Sequence, residues 1–190
     1  MSEEYQDMNS KQTILQHGIG VWHKFKQLIA HLESNSDSDY KHPLPSWIKE
    51  YKDILLPIIN DNIADIQTYL IYHDCGKPFA LTIDQNGKRH FYNHAEISKA
   101  TFLKYSDNQF IADLIGNDML CHSTKAKDYQ SLLNIPNIEI LLCAALAELH
   151  SNASMFGGFD CDSFKIKFKN LNKLGERILA EKYPTTESNN

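Results

Sequence analysis

Apolar residues recur along most of this chain at the spacing of a helix that buries one face. Ile14, Val21, Phe25, Leu28 and Leu32 follow one another at intervals of three, four and seven, which puts them on one stripe of a helix predicted over 11–33. The stretch ESNSDSDYKHPLP, residues 33–45, breaks the pattern and ends in two prolines, so it reads as a loop. A second apolar stretch, WIKEYKDILLPII, is expected to split at Pro57. A third, from about 61 to 74, carries Ile63, Ile66 and Leu70 on the stripe that His73 continues. Further helices are predicted at roughly 107–122, 137–153 and 164–182. Another opens at Asn93, where Glu96 is placed to complete a reciprocal cap. Between helices, ALTI and RHFY flank Asn86-Gly87, the dipeptide that best tolerates the positive φ angles of a tight hairpin. The expected fold is therefore all-α, a helical bundle with a short β-hairpin or loop excursion near 80–92.

Composition narrows the picture. With 190 residues, 42% of them hydrophobic, the chain is long enough to bury one core without a disulfide or metal staple. We expect a single domain over 1–190, with flexible termini at about 1–10 and 183–190. A net charge of −5, with Lys and Arg scattered, gives no general attraction to polyanions. Cys75, Cys121, Cys143 and Cys161 are far apart and form no C-x-x-C pair, so they read as reduced thiols. The start MSEEYQDMNS lacks the basic run and apolar core of a signal peptide, and no stretch reaches the roughly 18 apolar residues of a membrane span. The expected location is the cytoplasm, without a membrane partner.

Candidate chemistry comes from the nine histidines. A ring placed on a buried face needs a hydrogen bond, a charge or a metal. His17 lies between Ile14 and Val21 on the apolar face of the first helix, His23 points away, and His31 falls on the flank. His73 and Asp74 close the third apolar stretch. Ile111, Ile115, Asp118 and His122 form one stripe, as do Leu142, Leu146 and His150. Each such His alone also fits a hydrogen-bonded core residue. Convergence of His17, His73, His122 and His150 on one metal is the economical reading of them together.

The strings YHDCGKP and IDQNGKRHFYNHAEISKATF resemble the HD superfamily of metal-dependent phosphohydrolases. The likeness is nearest to the HD domain that follows the polymerase part of some bacterial CCA-adding tRNA nucleotidyltransferases. It is specific over about 69–102 and weaker but collinear over 14–32 and 111–153, and the chain carries no counterpart of the polymerase. The resemblance implies metal ligands at His17, His73 and Asp74, with His94 and His122 as further ligands or as donors to a substrate phosphate. The family's last ligand is an Asp on a late apolar helix. Here His150 holds that position, Glu148 stands where an acid often precedes it, and Glu148 and Asn152 are the alternative ligands. Imidazole in place of carboxylate removes a negative charge and so alters metal choice and affinity.

The implied activity is hydrolysis of phosphomonoesters or phosphodiesters on nucleotides or on RNA or DNA ends, with one or two divalent ions (Mn, Co, Ni, Mg or Fe). Asp74 is expected to be catalytic as well as a ligand, and Lys77 to reach a phosphate oxygen. Asp118 is a candidate to orient His122 or hold a second ion, and Tyr72, Phe79, Phe91 and Tyr92 are candidates to stack a base. Two other outcomes fit the same residues: a di-iron oxygenase on the HD fold, and a nucleotide-binding module that has lost catalysis.

Overall fold

The computed structural model describes residues 5–7, 12–34 and 40–184. Ten α-helices lie among them: α1 (Ile14–Ser34), α2 (Ser46–Glu50), α3 (Lys52–Asp61), α4 (Ile63–Tyr72), α5 (Lys77–Ala80), α6 (His94–Phe102), α7 (Gln109–Asn117), α8 (Leu120–Ser123), α9 (Ile138–Ser151) and α10 (Asp162–Lys182). Two antiparallel strand pairs accompany them, β1 (Tyr5–Asp7) with β2 (Gln12–Thr13) and β3 (Leu81–Ile83) with β4 (Arg89–Phe91). The fold class is all-α with a short hairpin, and none of the described helices is long and apolar enough to cross a membrane. All four cysteines are free thiols.

The described residues form two compact units. The first takes the chain up to His23 together with Asn62–Met119, and the second takes Lys24–Asp61 together with the chain from Leu120. In the first unit, α1 starts at a reciprocal cap. Gln16 N–H donates to Thr13 Oγ1 at 3.2 Å and Thr13 N–H to Gln16 Oε1 at 2.9 Å, which satisfies two amides that the first turn leaves free. Ile14 and Val21 then face the core with Ile66, Tyr69 and Leu70 of α4 and Ile111, Ala112, Leu114 and Ile115 of α7. α7 packs on both α4 and α6. In the second unit, α9 is buried along nearly its whole surface and packs against α3, α8 and α10, which explains why its sequence shows little polar periodicity.

Several expectations shift. Pro57 lies inside α3, and the break comes earlier, at Tyr51, between α2 and α3. Ile63 is 36% exposed although Ile66 and Leu70 are buried. His31 is buried rather than on the flank. The helix expected over 107–122 divides into α7 and α8, so the stripe from Ile111 to His122 is not one helical face. The hairpin turn spans Asp84–Lys88, and only Gly87 takes a positive φ, 76°. Asp84 Oδ1 accepts from the amides of Asn86 and Lys88, both at 2.9 Å, and this carboxylate closure replaces the two-residue turn that Asn86-Gly87 suggests. Of the terminal segments expected to be flexible, 5–7 pair as β1 and 183–184 are described; the remainder, like part of the 33–45 loop, lies outside the described residues.

Candidate metal centre

Asp74 is delivered by two overlapping turns that follow α4, closed by Cys75 N–H to Tyr72 O at 2.9 Å and Lys77 N–H to Asp74 O at 3.0 Å. The side chain is buried. Around its Oδ2 stand Lys77 Nζ at 2.6 Å, His73 Nε2 at 3.3 Å and His17 Nε2 at 3.7 Å. Oδ1 faces His94 Nε2 at 3.6 Å. All five residues belong to the first unit.

Two backbone carbonyls set the histidine tautomers. His73 Nδ1 lies 2.8 Å from Leu70 O, and His94 Nδ1 lies 2.9 Å from Phe91 O. A carbonyl only accepts, so each Nδ1 carries the hydrogen and each Nε2, the atom facing Asp74, is the one able to offer a lone pair. The hairpin thus has a part in the site, since Phe91 ends β4. Asn93 is in the left-handed conformation (φ 55°) and its side chain makes no cap. The reciprocal cap expected with Glu96 does not form, because side-chain capping belongs to extended backbone at that position. The left-handed Asn93 instead turns the chain so that α6 starts at His94.

Close backbone approaches bring these segments together. A Cβ on Gly18 would stand 2.3 Å from Ile71 O, so only glycine lets α1 meet α4 closely enough to set His17 beside His73, with ring centroids 5.2 Å apart. A Cβ on Gly76 would meet Ser98 N at 2.3 Å; instead Gly76 N–H donates to Ser98 Oγ at 2.9 Å and Cys75 Sγ–H to Ser98 O at 3.4 Å. These contacts tie α6 to the Asp74 turn. The sequence reading missed Gly18, Ser98 and Tyr69. A glycine inside an otherwise regular apolar helix was the available signal for the first.

Burial alone raises the Asp74 pKa, but the charge of the His73 ring when protonated and the Lys77 ammonium, with His17, outweigh it and hold the carboxyl well below the usual range. It is therefore a carboxylate. His17, His73 and Asp74 each offer a ligand atom within 4.8 Å of the others, and all three are buried. The His73–Asp74 separation of 3.3 Å falls within, and the His17–Asp74 separation of 3.7 Å somewhat beyond, the ~3.0–3.4 Å that ligand atoms make around an ion with bonds of ~2.1 Å. Two imidazoles and a carboxylate form a donor set suited to first-row divalent ions. The residues present fit a metal ion. Asp118 accepts from Tyr69 Oη–H at 2.5 Å, and it offers an oxygen within 4.8 Å of a His73 nitrogen.

His122 and His150 are in the second unit. His122 Nε2 is 2.7 Å from Glu148 Oε2, a carboxylate that orients its ring. Asn152 Nδ2 donates to Glu148 Oε1 at 3.3 Å. His150 Nδ1 shares a 2.7 Å hydrogen bond with Tyr40 Oη. Burial first, then His42 and Lys24, push the His150 pKa down to about 3. Comparison of the chain with protein families, with curated proteins and with solved structures finds no match.

Proposed function

We propose that this chain is a metal-dependent phosphohydrolase acting on phosphomonoesters or phosphodiesters of nucleotides or nucleic-acid ends. The observation that supports this reading is one buried carboxylate, Asp74, with His17, His73 and Lys77 at one oxygen and His94 at the other. His17 Nε2, His73 Nε2 and Asp74 Oδ2 would hold the divalent ion, of the Mn, Co, Ni, Mg or Fe group. When bound, such an ion supplies a Lewis acid that lowers the pKa of a water toward neutrality and offsets charge on phosphoryl oxygens.

The chain's own groups do the remaining work. The Leu70 carbonyl fixes the His73 ring, so its ligand atom is held in place before any ion arrives. Lys77 presents a nearly buried ammonium to Asp74 and is placed to pair with a phosphate oxygen as a point charge. His94, half-buried and fixed by Phe91, aims Nε2 at the same carboxylate and is the group able to give or take a proton at a substrate oxygen. Burial of the cluster keeps bulk water out and strengthens each of these interactions. The ligand role expected for His150 and the ligand or substrate role expected for His122 are no part of this proposal, since each has its own polar partner in the second unit.

The test is phosphate release by the full chain from nucleoside 2′-, 3′-, 5′- and cyclic phosphates and from phosphate-terminated oligonucleotides, across a panel of divalent ions. Metal-dependent release that chelator, His73→Ala and Asp74→Ala each abolish is expected. No release with any ion, or release retained in Asp74→Ala, overturns the reading. Stoichiometric iron with a visible absorption band and no hydrolysis replaces it with oxygen chemistry.

A further inference from the structure

A concave feature of the first unit lies beside the Asp74 turn. It is a cavity of ≈ 400 Å³ walled by Tyr72 at the end of α4, Phe79 on α5, Phe102 at the end of α6 and Tyr105 in the turn beyond. That volume is in the range of small-molecule sites. None of His17, His73, Asp74, Lys77 or His94 lines it. Phe79 is 71% exposed and Tyr105 88% exposed, so two large rings stand in water at its edge, an arrangement that marks a binding surface more often than a lone exposed ring does.

We propose that this cavity binds a planar heteroaromatic ring of nucleobase type, at a site separate from the Asp74 centre. Aromatic walls favour a flat partner, because every base offers a π-face to a ring. The walls rest on ordered backbone: Tyr105 N–H and Ser106 N–H both donate to Phe102 O, at 3.0 and 3.1 Å, and Phe79 N–H donates to Gly76 O at 3.0 Å. The floor is neutral. Cys75 is buried, its thiol donates to Ser98 O, and burial pushes its pKa up to about 11. Thr101 turns its hydroxyl to Ile97 O at 2.7 Å and so contributes its methyl. Ser106 Oγ accepts from Asn108 N–H at 3.2 Å and keeps its own proton to donate, which suits a ring carrying an acceptor nitrogen or carbonyl over a plain hydrocarbon. Lys104 Nζ, 6.0 Å from the Phe79 ring centre, and the absence of carboxylates among the described lining residues leave room for an anionic substituent.

The test uses the full chain with chelator and without any phosphate ester, so it reads independently of hydrolysis. Adenosine, guanosine, cytidine and uridine are offered at millimolar concentration in saturation-transfer NMR, with cyclohexanol as a non-planar control. Base protons are expected to saturate, and Phe79→Ala and Tyr105→Ala are each expected to weaken binding about tenfold. Both side chains are largely exposed, so circular dichroism should show an intact fold. His94→Gln is expected to leave nucleoside binding within twofold. No saturation by any nucleoside, equal binding of cyclohexanol, or loss in His94→Gln with retention in Tyr105→Ala overturns the proposal.

Discussion

The two units each bury a group of histidines, and their surroundings give those rings opposite chemistry. In the first, His17, His73 and His94 gather round Asp74, and Lys77 shares it. In the second, the described neighbours of His150, His42 and His31 are aromatic or cationic: His42 stacks on His150 with centroids 5.2 Å apart, Tyr40 lies 5.0 Å from His42 and 5.5 Å from His31, and Lys24 Nζ is 3.0 Å from His42 Nε2. Burial costs both groups solvation. Asp74 offsets it with opposite charge and is held ionised, whereas among the described residues no opposite charge faces His150, which is held neutral with a pKa pushed down to about 3. A buried histidine is therefore informative about ligation only together with its partner. His73 and His150 looked equivalent along the chain, each closing an apolar helical stripe, and the carboxylate of Asp74 separates the first from the second.

The sharpest way to break the comparison is to remove the carboxylate. Asp74→Asn should leave Lys77 buried without its counter-charge and cost ~3–5 kcal/mol in urea unfolding. Bound metal, measured by elemental analysis, should fall to background. Turnover should fall by more than the ~10–100-fold typical when a residue that merely orients a ligand is lost. His150→Gln, by contrast, should leave metal content unchanged.

Gly18→Ala attacks the same cluster through packing. The added methyl meets the Ile71 carbonyl, a backbone atom that cannot swing aside. A loss of ~1–3 kcal/mol is expected in urea unfolding, with weaker metal binding as His17 is pushed from His73.

Acid sensitivity sharpens the contrast between the units. The His150 pKa is lowered from 6.5 to about 3, so between those values the unfolded chain binds a proton that the folded chain does not. Its contribution is full above pH 6.5 and is lost as pH falls toward 3, at up to ~1.4 kcal/mol per pH unit. Asp74 is lowered from a carboxylate value, so its contribution is full at pH 5 and is lost only below about 4. Urea unfolding at pH 6.5 and 5 should therefore show a loss of roughly 1–2 kcal/mol in the natural chain that His150→Gln largely removes. An equal loss in both would mean that His150 is not the acid-sensitive group.

The smallest effect is expected at the hairpin, where Asp84 and His90 form an exposed pair 2.9 Å apart. Asp84→Asn keeps an oxygen for the turn amides, and thermal unfolding should not move measurably. A clear drop would show that the hairpin, through Phe91, holds the first unit together more than its exposure suggests.

By itself the sequence determined the helices with strong periodicity and the hairpin at 81–91, because each is a matter of spacing within one short stretch, while a family resemblance pointed to His73, Asp74, Lys77 and His94. His17 was legible as a polar ring on an apolar face. Where helices stop was less legible: α7 ends at Asn117 and α3 runs through Pro57, since tertiary packing overrides local signals at such points. Only the tertiary structure decided that Gly18 and Gly76 let three segments close around Asp74, that Tyr69 holds Asp118, and that His122 pairs with Glu148. The physical reason is that periodicity tells which side of a helix is buried but carries no information on how near another backbone comes or how a ring is turned. Those depend on side chains far apart in the chain fitting against one another.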